Sequence, residues 1–223
     1  MFIKKVILAV FSLCSFPALA QQNFFLQPVL GIGMGKTTPL QSLSSKQKTQ
    51  FTLLYNAQIG IGYESGRFVL NTGLGYTQTG LALDFQYTDG LGEPIGDGSL
   101  SIHYNNLVVP FTAGYKFLMG KKSSVSPLVG AELSYLFSGT SVQSGFGAIH
   151  RQKINAAEIK REFQPIGLTG IVQLNFVFKV TDRISIVVAP GFDYLLTNMN
   201  KAETGQSLHT YAIRLNGGIK WRL

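Results

Sequence analysis

From Phe51 to Tyr63 bulky apolar residues take every second position: Phe51, Leu53, Tyr55, Ala57, Ile59, Ile61 and Tyr63. Between them stand Thr52, Asn56, Gln58, Gly60 and Gly62, followed by Glu64, with Leu54 the one apolar intruder. Period two is the signature of a strand whose two faces differ. A two-residue turn centred on Ser65-Gly66 is expected next, glycine suiting a position with positive φ. The alternation then resumes, with Phe68, Leu70, Leu74 and Tyr76 on one face and Arg67, Asn71, Gly73 and Gly75 on the other. The arms of this hairpin run to about 13 residues, against the ~5–6 usual in soluble sheets.

A face of Gly, Asn, Gln and Thr builds no hydrophobic core, so the bulky face is the one hidden from water. A soluble sheet would carry Lys and Glu on its other face, yet only 13% of the chain is charged. The consistent solution is a barrel with bulky residues toward lipid and small ones toward a narrow lumen. The pattern recurs over residues 24–36, 104–118, 125–138, 165–180, 183–196 and 208–223. With the opening pair this predicts an all-β, eight-stranded antiparallel up-and-down transmembrane barrel. Short turns are expected at 119–124 and 181–182, and long polar loops at 37–50, 86–103, 139–164 and 197–207. Short turns face the periplasm in such barrels, and an even strand count puts both termini there.

Residues 1–20 read as a cleaved secretory signal: Lys4 and Lys5, an apolar run from Val6 to Leu13, and Ala18-Leu19-Ala20 before the cut. Residues 21–223 are then the mature barrel. Cleavage removes the only cysteine, Cys14, and with it any disulfide or thiolate chemistry. The chain has no apolar run long enough for a membrane-spanning helix. The basic balance, net +8, would suit nucleic acid, but export and the scatter of Lys and Arg exclude that partner.

The segments Asn106–Phe117 (NLVVPFTAGYKF) and Ser126–Phe137 (SPLVGAELSYLF), with the C-terminal NGGIKWRL, resemble the PorT-type outer-membrane β-barrel proteins. The resemblance is one of pattern and phrase over the whole mature chain. It implies an eight-stranded barrel in the outer membrane of a Gram-negative bacterium, and some members of that family assist protein secretion.

Candidate chemistry is sparse. GIGMGKT (Gly31–Thr37) suggests a phosphate loop, but the required first glycine falls at Leu30 and the glycines lie on a strand face. Ser101 and His103 share a strand face, as a hydrolase would need, though nothing supplies a group to orient the base. His150 and His209 are distant in sequence, and no cluster has metal-ligand spacing. Neither cofactor nor metal is expected. The expected charged set is internal: Glu132, Asp193 and Arg214 point inward at comparable heights, so the arginine fork can bond two carboxylates. Outside, Arg151, Lys153, Lys160 and Arg161 make the longest loop basic and suited to lipopolysaccharide phosphates.

The expectation is therefore a monomeric, non-enzymatic outer-membrane barrel with a structural or interaction role through its external loops. Its partners are membrane lipid, lipopolysaccharide and envelope or secretion proteins. The alternatives are a narrow channel or secretion accessory, a lipid-modifying enzyme, and a soluble lipocalin-like barrel.

Overall fold

A computed structural model of the protein describes residues 23–39, 47–89, 91, 93–120, 122–145, 148–155, 158, 159, 161, 163–197 and 208–223. The expected signal peptide, Lys160 and most of the 197–207 loop lie outside them. Among the described residues eight long antiparallel strands close on themselves: β1 (Phe24–Pro39), β2 (Thr52–Ser65), β3 (Phe68–Thr88), β4 (Pro94–Tyr115), β5 (Ser123–Gly145), β6 (Ile166–Lys179), β7 (Ile184–Leu195) and β8 (Leu208–Arg222). Each pairs with its sequence neighbours, and β1 pairs with β8 from Phe25↔Arg222 to Pro39↔Leu208. Closure leaves the barrel wall without an open edge, the condition for a sheet in hydrocarbon.

The expected outward residues are exposed on every strand, among them Leu30, Tyr55, Leu74, Phe111, Leu133, Val172, Ile186 and Ile213. This apolar belt ends at a polar rung on the outer face. The Tyr76 hydroxyl donates to Asn105 Oδ1 at 2.6 Å, and Asn105 Nδ2 donates to Ser138 Oγ at 2.9 Å. On β3 the belt runs from Phe68 to Tyr76, matching the ~9–11 residues a tilted strand needs to cross a bilayer.

Above that rung the strands continue and the alternation changes sides. Leu81 and Tyr104 are buried toward the axis, and Gln78, Asp84 and Ser101 now take the outer positions. The expected loops at 86–103 and 139–164 are therefore largely strand: β3 reaches Thr88, β4 begins at Pro94, and β5 runs to Gly145. The strand Ala148–Ile154 folds back on β5, and the strand Gln47–Gln50 extends β2 along β3, which shortens the expected 37–50 loop. The result is a sheet raised well above the belt on one side. A bulge where Asn105 and Asn106 meet Leu136 and Ser138 sits at the transition, where extra twist bends β5.

The first turn also differs from expectation. Ser65 pairs with Phe68, so the turn residues are Gly66 and Arg67, one place later than Ser65-Gly66. Gly66 has φ of 59°, the left-handed region, and Arg67 stands exposed in the turn rather than inside the barrel.

Candidate functional site

The lumen is filled by layers of side chains, which leave small cavities between them. At the loop end the chain returning from Ile154 drops an apolar plug into the barrel. Asn155 and Glu158 cap a short helical turn reciprocally: the Glu158 amide donates to Asn155 Oδ1 at 3.0 Å, and the Asn155 amide donates to Glu158 Oε2 at 2.9 Å. That turn points Ile159, 2% exposed, onto Tyr104 and Leu136, with Ile102, Ile154 and Phe163 around it.

Below the plug lies a cavity of about 50 Å³ lined by Leu54, Thr77, Val108 and Leu136. Its floor is the set expected from the sequence. Arg214, 7% exposed, forms a close ion pair with Asp193, and its Nη2 lies 3.7 Å from Glu132 Oε1 across the lumen. Arg214 Nη1 also donates to Thr77 Oγ1, and Gln58 donates to Glu132 Oε2, each at 3.4 Å. Three strands from different parts of the chain, β5, β7 and β8, thus bring one cation to two carboxylates. A second cavity of about 70 Å³ follows, lined by Gln58, Asn71, Gln173 and Asn216. The second cavity is the more polar of the two and has room for a few waters.

Phe25, Val69 and Leu128 form the next layer, all nearly inaccessible. The inward face is therefore more apolar than its run of Gly, Asn and Thr suggested, with Leu54, Val108, Leu128 and Val187 fully buried. Beneath this layer sits a second charged group that the sequence reading did not assemble. Glu64 bonds Lys220 closely, accepts from Lys116 Nζ at 3.1 Å and lies 3.6 Å from Arg222 Nη2. Lys220 Nζ stands 3.9 Å from the Phe25 ring centroid, a cation over an aromatic face. Arg222 is half exposed at the rim. In the adjoining turn the hydrogen bond from Lys179, at 2.7 Å, holds the Asp182 carboxyl below the usual carboxylate range.

The other candidates remain apart. Ser101 Oγ lies 3.3 Å from His103 Nε2, but His103 Nδ1 has no hydrogen-bond partner among the described residues, so nothing orients the ring as a base. His209 stacks on Tyr194 and faces the Leu195 carbonyl. The Gly31–Thr37 run lies within β1. Arg151 and Lys153 are exposed on the folded-back strand, and Arg161 is exposed beside the plug. Among the described residues no group of His, Cys, Asp and Glu is placed to hold a metal.

No family model and no curated protein matches the chain. Among solved structures it is similar to the attachment invasion locus protein of Yersinia pestis, solved with the heparin analogue sucrose octasulfate (14% identity, 89% of this chain and 99% of that one, TM-score 0.39). It is also similar to Neisserial surface protein A (14% identity, 90% and 97%, TM-score 0.40) and to the outer membrane protease of Escherichia coli (10% identity, 91% and 97%, TM-score 0.44). At these scores the likeness bears on neither activity nor ligand.

Proposed function

We propose that the protein is a non-enzymatic barrel of a bacterial outer membrane, tight to solutes, that acts through the sheet raised at its loop end. The observation that carries this reading is the change of sides at the Tyr76–Asn105–Ser138 rung. Below it the outer face is made for hydrocarbon, and above it the outer face is made for water. Strands that continue past the bilayer with a packed inner face form a rigid platform rather than loose loops. The strand Ala148–Ile154 presents His150, Arg151 and Lys153 to solvent at the edge of that platform. Their chemistry suits the phosphates of lipopolysaccharide, with Lys160 and Arg161 following in the same segment. In this reading the raised sheet is external, both termini are periplasmic and the barrel is a monomer. The PorT-type resemblance adds an envelope or secretion protein as a further partner.

The test uses the purified barrel in phosphatidylcholine nanodiscs, titrated with lipopolysaccharide, beside the variant carrying Arg151→Ala and Lys153→Ala. Binding by the wild type, weakened at least tenfold in the variant, is the expected result. Equal binding by both proteins overturns the lipopolysaccharide contact. Steady conductance of the wild type in a planar bilayer overturns the sealed barrel and favours the channel. An altered lipid A mass in cells lacking the protein favours the enzyme.

A further inference from the structure

The turn end of the barrel carries a second basic surface, concave and built from the strand ends themselves. Lys116 follows β4, Lys122 precedes β5, Lys179 ends β6, Arg183 precedes β7, and Lys220 and Arg222 close β8. Backbone hydrogen bonds fix these positions side by side. The Lys179 amide donates to the Lys122 carbonyl at 2.8 Å, and the Arg222 amide donates to the Arg183 carbonyl at 2.8 Å. Cations from five consecutive strands thus ring one mouth.

The mouth is a pocket of about 130 Å³, room for roughly ten water-sized groups. Its six cations face two carboxylates, Glu64 and Asp182, so its formal charge is 6 − 2 = +4. Glu64 ties Lys116, Lys220 and Arg222 together but neutralises one of them, leaving that group at +2. Asp182 pairs with Lys179. Lys122 and Arg183 add two more positive charges at the rim. The pocket lies next to the Phe25, Val69 and Leu128 layer, since Lys220, which lines it, reaches over the Phe25 ring. The net positive charge of this concavity raises the local concentration of anions. The arrangement is also ordered in advance, because Glu64 and Lys220 are more than nine-tenths buried and hold the neighbouring ammonium and guanidinium groups in place.

We propose that this turn-end mouth binds a phosphate-bearing anion, with Lys122 and Arg183 as its gripping residues and the Glu64 group as its fixed base. The chemistry is that of a phosphate whose oxygens meet several cations at once, since a single exposed cation gives little. Two sources share it: the headgroup of an anionic phospholipid in the adjacent leaflet, and a soluble phosphate ester or pyrophosphate.

The experiment uses the full barrel in nanodiscs, with the Lys122→Ala and Arg183→Ala variants. Both residues are exposed and lie outside the buried Glu64 group, so their truncation leaves the barrel folded. In phosphatidylcholine discs, inorganic pyrophosphate is titrated by calorimetry. In discs holding a minor fraction of phosphatidylglycerol, protection of Lys122 from amine-reactive labelling is measured in the wild type and the Arg183→Ala variant. Pyrophosphate binding that weakens at least tenfold in either variant, and is unchanged in Arg151→Ala, supports a soluble ligand. Protection that depends on phosphatidylglycerol and drops at least threefold in Arg183→Ala, without pyrophosphate binding, supports the headgroup. Absence of both signals overturns the proposal. So does an equal loss in Arg151→Ala, which would report only the net charge of the protein.

Discussion

Arg214 and Asp193 meet diagonally across the β7–β8 pair. Arg214 stands opposite Gly191 and Asp193 opposite Ala212, so the two side chains lean toward each other along the inner face. Glu132 approaches the same guanidinium from β5, three strands around the wall.

Removing the shared cation strands two buried carboxylates. Arg214→Ala should therefore cost about 3–5 kcal/mol, the range for a broken buried ion pair. The double variant Asp193→Asn with Arg214→Gln removes both charges of the close pair and should recover much of that loss. Urea unfolding from phosphatidylcholine vesicles measures both. If the single and double variants lose the same amount, the charges are separately hydrated and the layer adds nothing to stability.

The lipid face gives a second comparison. Leu74, 62% exposed, lies within the belt, whereas Leu118 lies beyond it at the turn end. Leu74→Arg should cost about 2–4 kcal/mol of folding into lipid, and Leu118→Arg about 0–1 kcal/mol, because the penalty falls toward the interface. The same vesicle titration reads both. Equal costs would mean that the belt is not at bilayer depth.

Eight strands were legible because inward and outward residues alternate without a slip over each bilayer-crossing segment. The upper strands were not, and the reason is physical. At Leu81 on β3 and Tyr104 on β4 the apolar residues change face while the backbone continues unbroken. A rule tuned to one solvent reads that change as the end of a strand. The Arg214 group was legible because its members sit at comparable heights on inward faces. The Glu64 group was missed although Glu64 was read on the polar face of its strand. Its bonds span 52 and 156 residues of sequence, and only the register of β2, β4 and β8 brings them level.

Two glycines separate two kinds of constraint. At Gly66 a Cβ would touch nothing within 4 Å, so Gly66→Ala reports the left-handed backbone alone, about 1–2 kcal/mol. Gly66→Asn should cost less, since Asn tolerates that region. At Gly130 a Cβ would sit 1.9 Å from the Phe111 carbonyl oxygen, a backbone atom of the paired strand that cannot turn aside. Gly130→Ala should exceed Gly66→Ala in cost and slow insertion into vesicles, because β4 and β5 must part to admit the methyl group. The order of the two costs is the test, and its reversal would mean that the β4–β5 wall yields freely.

The plug gives the last prediction. Ile159 holds the segment after the Ala148–Ile154 strand by packing on Tyr104 and Leu136. Arg151 and Lys153 lie within that strand, paired with β5, so a protease reaches them only when the hairpin opens locally. Ile159→Ala removes buried methyl groups at a typical cost of 2–5 kcal/mol. That cost should fall on the local opening rather than on the closed barrel below, which retains its own layers at Arg214 and Phe25. When opening and closing are fast, cleavage tracks the population of the open form. Trypsin should then cut after Arg151 or Lys153 at least tenfold faster in Ile159→Ala on intact cells, while the urea midpoint of the barrel moves little. Unchanged cleavage would show that Ile159 does not restrain the hairpin, and a large fall in the midpoint would show that plug and barrel unfold as one unit.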